Sequence, residues 1–370
     1  MIDPSAGLYI GLMSGTSADG IDAVLLELDR DGHPQALPAR TCLPLATELS
    51  AAILAAGGHT SLSEACALDR RLATAFAEAA RRVREQAPAH ASVHAIGCHG
   101  QTIWHQGSSD LPGATVQLGD PNRIAALTGL PVVADFRRRD QAEGGQGAPL
   151  APTFHAHCWH KAGRHQAVLN LGGIANLTLM PAHGPVTGFD CGPANTLLDA
   201  WARRHLGTPY DTDGSWAAGG RIEPELLERL RADPYFRIPP PKSTGPEHFD
   251  LAWLAAHCRG DEQPQDVQAT LVELTAATVA EALARWGPSG MEQLWVCGGG
   301  THNRHLLERL QAWCPGLTVT STAALGIAPD DVEAAAFAWL AWARLNGVPG
   351  NLPAVTGARR PAVLGGLYPP

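Results

Sequence analysis

At 370 residues the chain exceeds what one hydrophobic core usually serves, so two domains are expected. Its 45% hydrophobic and 17% charged residues exclude a disordered chain. A net charge of −9, with Arg137, Arg138 and Arg139 as the one basic run, argues against a nucleic-acid partner, while leaving room for a small anionic substrate.

The eight cysteines are scattered and form no C-x-x-C, so neither a zinc knuckle nor a redox pair is indicated. They read as reduced, mostly buried small hydrophobes of a cytoplasmic protein. The opening "MIDPSAGLYIGLM" lacks the basic segment of a signal peptide. The most apolar stretch, 334–343, is shorter than the roughly 18 residues a membrane span needs, so no membrane partner is expected.

In chain order, strands are expected at 8–13 and 21–28, with "DRDGH" as a hairpin turn. A third, at 39–43, is bracketed by Pro38 and Pro44 and should be short or at an edge. Ser61 and Glu64 fit a capping box, and Leu68, Leu72, Phe76 and Val83 repeat on one helical face. "VHAIGCHGQTIWH" reads as a strand ending in a polar loop, and "TVQLGDPNRIAALTGLPVVADF" as strand, turn, helix and strand. "RRRDQAEGGQGAPLAP" is the expected hinge, dividing the chain into lobes 1–138 and 139–370, with the last residues able to pack back on the first lobe. A plain surface loop fits that composition equally well.

The second half repeats the first. "AVLNLGGIANLTLM" is strand, Gly turn and strand, and "GFDCGPANTLLDAWARRHL" places Asp190 at a strand end before a helix from Pro193. "DVQATLVELTAATVAEALARW" reads as a long amphipathic helix, and "LWVCGGGTHNRHLLERL" as strand, three glycines and helix. A last helix follows in "PDDVEAAAFAWLAWARL". The alternation indicates an α/β protein.

The segment from Gly15 to Gly20 suits phosphate: glycines let backbone N–H groups approach, hydroxyls add donors, and Asp19 can hold Mg²⁺. Taken alone, a decorated β-turn is the better reading. Gly172 and Gly173 occupy the corresponding place in the second half, and Gly298, Gly299 and Gly300 form a later strand–helix turn. The three together suggest a nucleotide clamped between two lobes. Asp190 at a strand end suits a general base kept ionised by a helix N-terminus; the plainer reading is a helix N-cap, a role it could serve in addition. Glu333 by itself reads as an acid offsetting a helix dipole. No histidine pair shows a metal-ligand pattern. "KSTG" at 242–245 resembles part of a Walker loop without its upstream glycine.

The chain resembles the anhydro-N-acetylmuramic acid kinases of bacterial cell-wall recycling. The resemblance rests on "GLMSGTSADGID", "CHGQT", "QLGDPNRIA", "VVADFRRRDQAEGGQGAPLAP", "LNLGGIANLT", "GFDCGPAN", "KSTG", "DVQATL", "VCGGGTHN", "PDDVEAAAFAWLA" and "GNLPAVTGA". It implies a two-lobed actin-like ATPase and sugar-kinase fold that closes over ATP and Mg²⁺, in a cytoplasmic homodimer. It implies that ATP and water act together on 1,6-anhydro-N-acetylmuramic acid, giving N-acetylmuramic acid 6-phosphate and ADP. Asp190 is then the base that activates water, and Glu333 a second acid that helps to place it. Gly15, Thr16, Ser17, Ala18, Asp19, Gly20, Ile21 and Asp22 form the phosphate segment, with Asp19 on the metal. Gly172 and Gly173 form the second phosphate turn, and Gly298, Gly299, Gly300 and Asn303 the nucleoside side. His99, Gln101, Thr102, Asp120, Asn122, Arg137, Arg138, Gln146 and Asn195 are the sugar candidates. Ala194 departs from the family's usual glycine, as does "TSTAALGIAP" from its common acidic form. An ordinary sugar kinase and an actin-like interaction module are the rival readings.

Overall fold

The structure is a computed structural model that describes residues 6–15, 17–87, 92–107, 113–245 and 247–370. The chain divides into two units: one comprises Met1–Trp159 with Asp331–Pro370, and the other is His160–Asp330.

The first unit is built on β1 (Gly7–Met13), β2 (Gly20–Leu28), β3 (Pro34–Pro44), β4 (Val93–Cys98), a hairpin of β5 (Gln101–Gln106) and β6 (Ala114–Leu118), and β7 (Val132–Ala134). Its main sheet runs Gly366–Tyr368, β7, β4, β1, β2, β3. β2 is antiparallel to both β1 and β3, whereas β4 is parallel to both β1 and β7. The run from Leu8 to Leu12 is wholly buried, which marks a sheet covered on both faces. Leu8, Ile10 and Leu12 pack with Leu68, Leu72 and Phe76 of the Leu62–Glu85 helix. On the alternate face, Gly11 and Gly97 are paired neighbours that let the Val332–Asn346 helix seat directly on the strands. A Cβ on Gly11 would lie 1.8 Å from the Ala334 carbonyl oxygen, and one on Gly97 1.9 Å from that of Phe337.

The second unit carries β8 (Gln166–Leu171), β9 (Ile174–Met180), β10 (Thr187–Pro193), β11 (Gln293–Cys297) and β12 (Thr318–Ser321), in the order β10, β9, β8, β11, β12. β9 is antiparallel to both β8 and β10, and β11 is parallel to both β8 and β12. This is the arrangement of β3, β2, β1, β4 and β7, strand for strand, so the β1–β2 and β8–β9 turns are equivalent places in a duplicated fold.

Several expectations change. β3, expected to be short or at an edge, is the edge strand and is 11 residues long. Its prolines are tolerated because it is the sheet edge and its pairing with β2 shifts register near Pro38. The polar loop after β4 is instead β5, paired with β6. The Thr47–Ala55 helix lay outside the reading; its N-cap, Ala46, makes no side-chain cap bond that would have signalled it. The expected hinge lies inside the first unit: Phe136–Ala142 is helical, and Asp140, Gln141 and Glu143 are buried. The chain passes between the units at 159–160 and 330–331, not at 138–139. The segment 139–147 stays in the first unit because Asp140, buried within it, is bonded to Gly147, Asn351 and Thr356, and the pair of strand glycines seats 332–346 on β1 and β4.

The Pro264–Trp286 helix is buried on every side from Val267 to Ala280 and is not amphipathic. Its length and composition would permit a membrane span, yet 89% of that apolar window is buried within the protein. Of the eight cysteines, Cys98, Cys191, Cys297 and Cys314 are buried, but Cys42 and Cys66 are exposed, so burial holds for half of them.

Candidate active site

In the first unit, β1 runs into a turn closed by the Ala18 N–H on the Gly15 carbonyl at 3.2 Å, with Ala18 at φ +51°. Ser14 donates to the Gly20 carbonyl, and Ser17 to Asp19 Oδ1 at 2.8 Å. Thr16 lies outside the described residues. A Cβ on Gly15 would meet only Ser17 Oγ, at 3.9 Å, so the backbone here is open to a ligand. Gly20 is different, because a Cβ there would lie 2.9 Å from Cys42 Sγ. Ile21 is fully buried in the core, and Asp22 lies within β2 opposite Met13. Asp19 is exposed, and its carboxylate, steadied by Ser17, suits a cation that takes most of its ligands from phosphate and water. No cluster of three metal-ligating side chains exists among the described residues.

Hydrogen bonds bring several sugar candidates to the same unit's β4–β5 region. Gln101 Nε2 donates to the Gly15 carbonyl at 3.2 Å. Arg137 Nε donates to His99 Nε2 at 3.0 Å, and Arg137 Nη1 to the Gly147 carbonyl at 2.9 Å. Burial and the Arg137 charge push His99 well below its ordinary value, so it is a neutral acceptor. Burial also lowers Arg137 to about 10, against the opposing pull of Glu333 and Asp140. Glu333 is exposed in the first turn of its otherwise buried helix.

Other candidates are engaged elsewhere. Asp120 caps the Pro121–Thr128 helix, accepting from the Asn122 and Arg123 N–H groups, and neither Asp120 nor Asn122 bonds to His99, Gln101 or Arg137. Thr102 accepts from Gln117, Arg138 pairs with Asp135 at 3.2 Å, and Gln146 lies against Gly107. A cavity of about 610 Å³, lined by Asp135, Arg139, Arg344 and Arg360 among others, includes none of the sequence candidates.

In the second unit, the Gly172 and Gly173 carbonyls accept the N–H groups of Ala194, Asn195 and Thr196. These N–H groups at the start of the Asn195–Leu206 helix are therefore already taken within the chain. Asn195 Nδ2 donates to the Leu171 carbonyl, and its side chain lies beside Gly299 and Gly300. The structure thus groups Asn195, a sugar candidate, with Gly299 and Gly300. A Cβ on Gly172 or Gly299 meets nothing nearer than 3.6 Å, whereas Gly173, Gly298 and Gly300 have atoms at 2.3–2.6 Å. Gly298 also needs its φ of +82°. Asn303 caps the Arg304–Trp313 helix through Oδ1.

Asp190 lies inside β10, at a register shift, and not at its end. The following helix starts at Asn195 with Ala194 as its N-cap and no side-chain cap, so Asp190 is not the cap. Asn176 Nδ2 donates to Asp190 Oδ1 at 2.7 Å, and the Thr244 N–H donates to Oδ2 at 2.9 Å. Burial pushes the Asp190 carboxyl above the ordinary carboxylate value, while Asn176, Thr244 and Lys242 pull it back. These partners favour the charged form.

The family profile described as anhydro-N-acetylmuramic acid kinase matches residues 7–370. The chain belongs to the anhydro-N-acetylmuramic acid kinase family. Curated relatives of that name in two strains of Xanthomonas campestris pv. campestris, 8004 and ATCC 33913, are each 51% identical over 98% of this chain and 97% of their own. Among solved structures it is similar to the activator of the 2-hydroxyisocaproyl-CoA dehydratase from Clostridium difficile, with a TM-score of 0.45 and 12% identity over 92% of this chain and 96% of that one. It is also similar to the ROK hexokinase from Thermus thermophilus, at 0.38 and 16% over 90% and 97%. These are distant likenesses. The strand order repeated in the two units of this anhydro-N-acetylmuramic acid kinase family member, with its two strand–Gly turn–strand loops, is the duplicated α/β pattern expected from its sequence.

Sequence reasoning missed four residues around Asp190. Asn176 and Thr244 hold its two oxygens; the Tyr235 hydroxyl donates to the Asp190 carbonyl; and Lys242 Nζ donates to the Tyr235 carbonyl at 3.0 Å. "KSTG" was the available signal, and the structure folds it over Asp190, with the Asp190 N–H on the Lys242 carbonyl and the Thr244 N–H on Oδ2.

Proposed function

We propose that the protein is an ATP-dependent kinase that opens the 1,6-anhydro ring of 1,6-anhydro-N-acetylmuramic acid with water and phosphorylates O6. The products are N-acetylmuramic acid 6-phosphate and ADP, formed in the cytoplasmic recycling of cell-wall sugar by a homodimer. The observation that carries this reading is Asp190. Each of its oxygens takes one donor from the protein, leaving a lone pair for a proton, and burial makes it a stronger base than an exposed carboxylate.

Asp190 takes a proton from water as its oxygen bonds to the anomeric carbon. The bond from that carbon to O6 breaks, and O6 takes the γ-phosphoryl group as its bond to the β-phosphate oxygen breaks. Glu333 helps to place the water. The open backbone at Gly15 and Gly172 receives phosphate, and that at Gly299, beside Asn195, receives the nucleoside. Arg137, with His99, receives the sugar, its guanidinium suiting the lactyl carboxylate. Mg²⁺ neutralises phosphate charge, and Asp19 is the carboxylate that would hold it.

Reaction in ¹⁸O-water tests the proposal. Label is expected at C1 of product trapped before anomeric exchange, with O6 and its phosphate unlabelled from solvent. An unlabelled C1 points instead to an ordinary sugar kinase. Asp190→Asn keeps the size and should lower kcat by roughly 10²–10⁴-fold with little change in the KM for ATP.

A further inference from the structure

The motif "GNLPAVTGA" lies some 200 residues from Arg137 in sequence and has no part in the chemistry above. In the fold it reaches Arg137 through Asp140. That carboxylate is fully buried: Oδ1 accepts from Asn351 Nδ2 at 2.6 Å and from the Thr356 hydroxyl at 2.7 Å, and Oδ2 accepts from the Gly147 N–H at 2.8 Å. Gly147 in turn accepts Arg137 Nη1 on its carbonyl, and Arg137 Nε reaches His99. The turn between is held by the Gly145 N–H on the Asp140 carbonyl and the Gln146 N–H on the Thr356 carbonyl. Gly145 admits no side chain, because a Cβ there would lie 2.2 Å from Asp140 Oδ2.

We propose that Asp140, Asn351 and Thr356 form a buried bracket that positions the Arg137 guanidinium for the sugar, making the C-terminal motif a determinant of sugar affinity. None of the three touches substrate; they are positioning residues acting through Gly147. A buried carboxylate with three donors holds its neighbours in one arrangement, since losing a donor leaves an unpaired lone pair on a buried charge. A guanidinium displaced by a fraction of an ångström loses its two-pronged grip on a carboxylate. Thr356 thus sets the Gly147 carbonyl, and that carbonyl sets Arg137.

The inference rests on the reading of Arg137 as a sugar-binding residue, so the test measures both. Thr356→Val deletes one donor while keeping the shape and leaving Asp140 two others. It should raise the KM for the anhydro-sugar roughly tenfold, leave the KM for ATP and kcat within about twofold, and be rescued by Thr356→Ser. Asp140→Asn should move the same parameter further, and any loss of folded protein is read separately from the melting curve. A bracket that only stabilises the fold would lower the melting temperature and the active fraction without selectively moving the sugar KM, and that result overturns the proposal. Arg137→Ala is run in parallel. If it raises the sugar KM while Thr356→Val leaves it alone, the bracket falls and the Arg137 reading stands. If Arg137→Ala leaves the sugar KM unchanged, both fall.

Discussion

Asp190 sits between opposed influences: burial disfavours its charge, and Asn176, the Thr244 N–H and Lys242 restore it. A base works only when ionised, so the rate should fall as pH drops through the Asp190 pKa. Removing a donor to the charged form raises that pKa further. Asn176→Ala should therefore move the acid limb of the kcat/KM profile to higher pH, and an unmoved limb would separate Asn176 from the base. The glycines divide in the same residue-level way. Gly15→Val places a side chain in open space, so the melting temperature should hold while the KM for ATP rises strongly. Gly298→Ala meets Asn170 Oδ1 at 2.3 Å with a φ of +82°, and should cost about 1–3 kcal/mol of stability in denaturant melts. Equal effects of the two on stability would mean that the Gly15 loop is merely a turn.

At the scale of elements, the helix that carries Glu333 is seated by two glycines in neighbouring strands. Adding one methyl at Gly11 pushes against the Ala334 backbone carbonyl, which has no rotamer by which to yield. Gly11→Ala should destabilise the protein by about 1–3 kcal/mol and lower kcat in the folded fraction, because Glu333 lies next to Ala334. Unchanged kcat would show that the position of this helix does not matter to the reaction. The elements themselves were largely legible: the Ser61–Glu64 capping box, the β1–β2 and β8–β9 turns and the "CGGGTHN" turn all announce themselves locally. The Phe136–Ala142 helix was not, since its glycine-rich continuation looks like a loop until the buried Asp140 is seen to organise it.

At the scale of the whole molecule, the core of the second unit is drawn from residues within 160–330 alone, from Ala167 to Cys314. Expressed by itself, 160–330 should unfold cooperatively and show near-UV circular dichroism, with no kinase activity. Residues 1–159 alone lack the helix that covers Gly11 and Gly97 and should bind a hydrophobic dye without a cooperative melt. A molten 160–330 would mean that its core depends on the rest of the chain.

Local information was enough for the sequence to determine the alternation of strands and helices, the equivalent glycine turns and the family, because caps, turns and periodicity are written in neighbouring residues. Only the tertiary structure decided what surrounds Asp190, since Thr244 and Lys242 lie more than 50 residues beyond it and reach it through a folded loop. It also decided that the segment returning to the first unit begins at Asp331, and that Asn351 and Thr356 clasp Asp140. Such contacts arise when burial brings distant polar groups out of water together, and each must then find its partner wherever along the chain that partner happens to be.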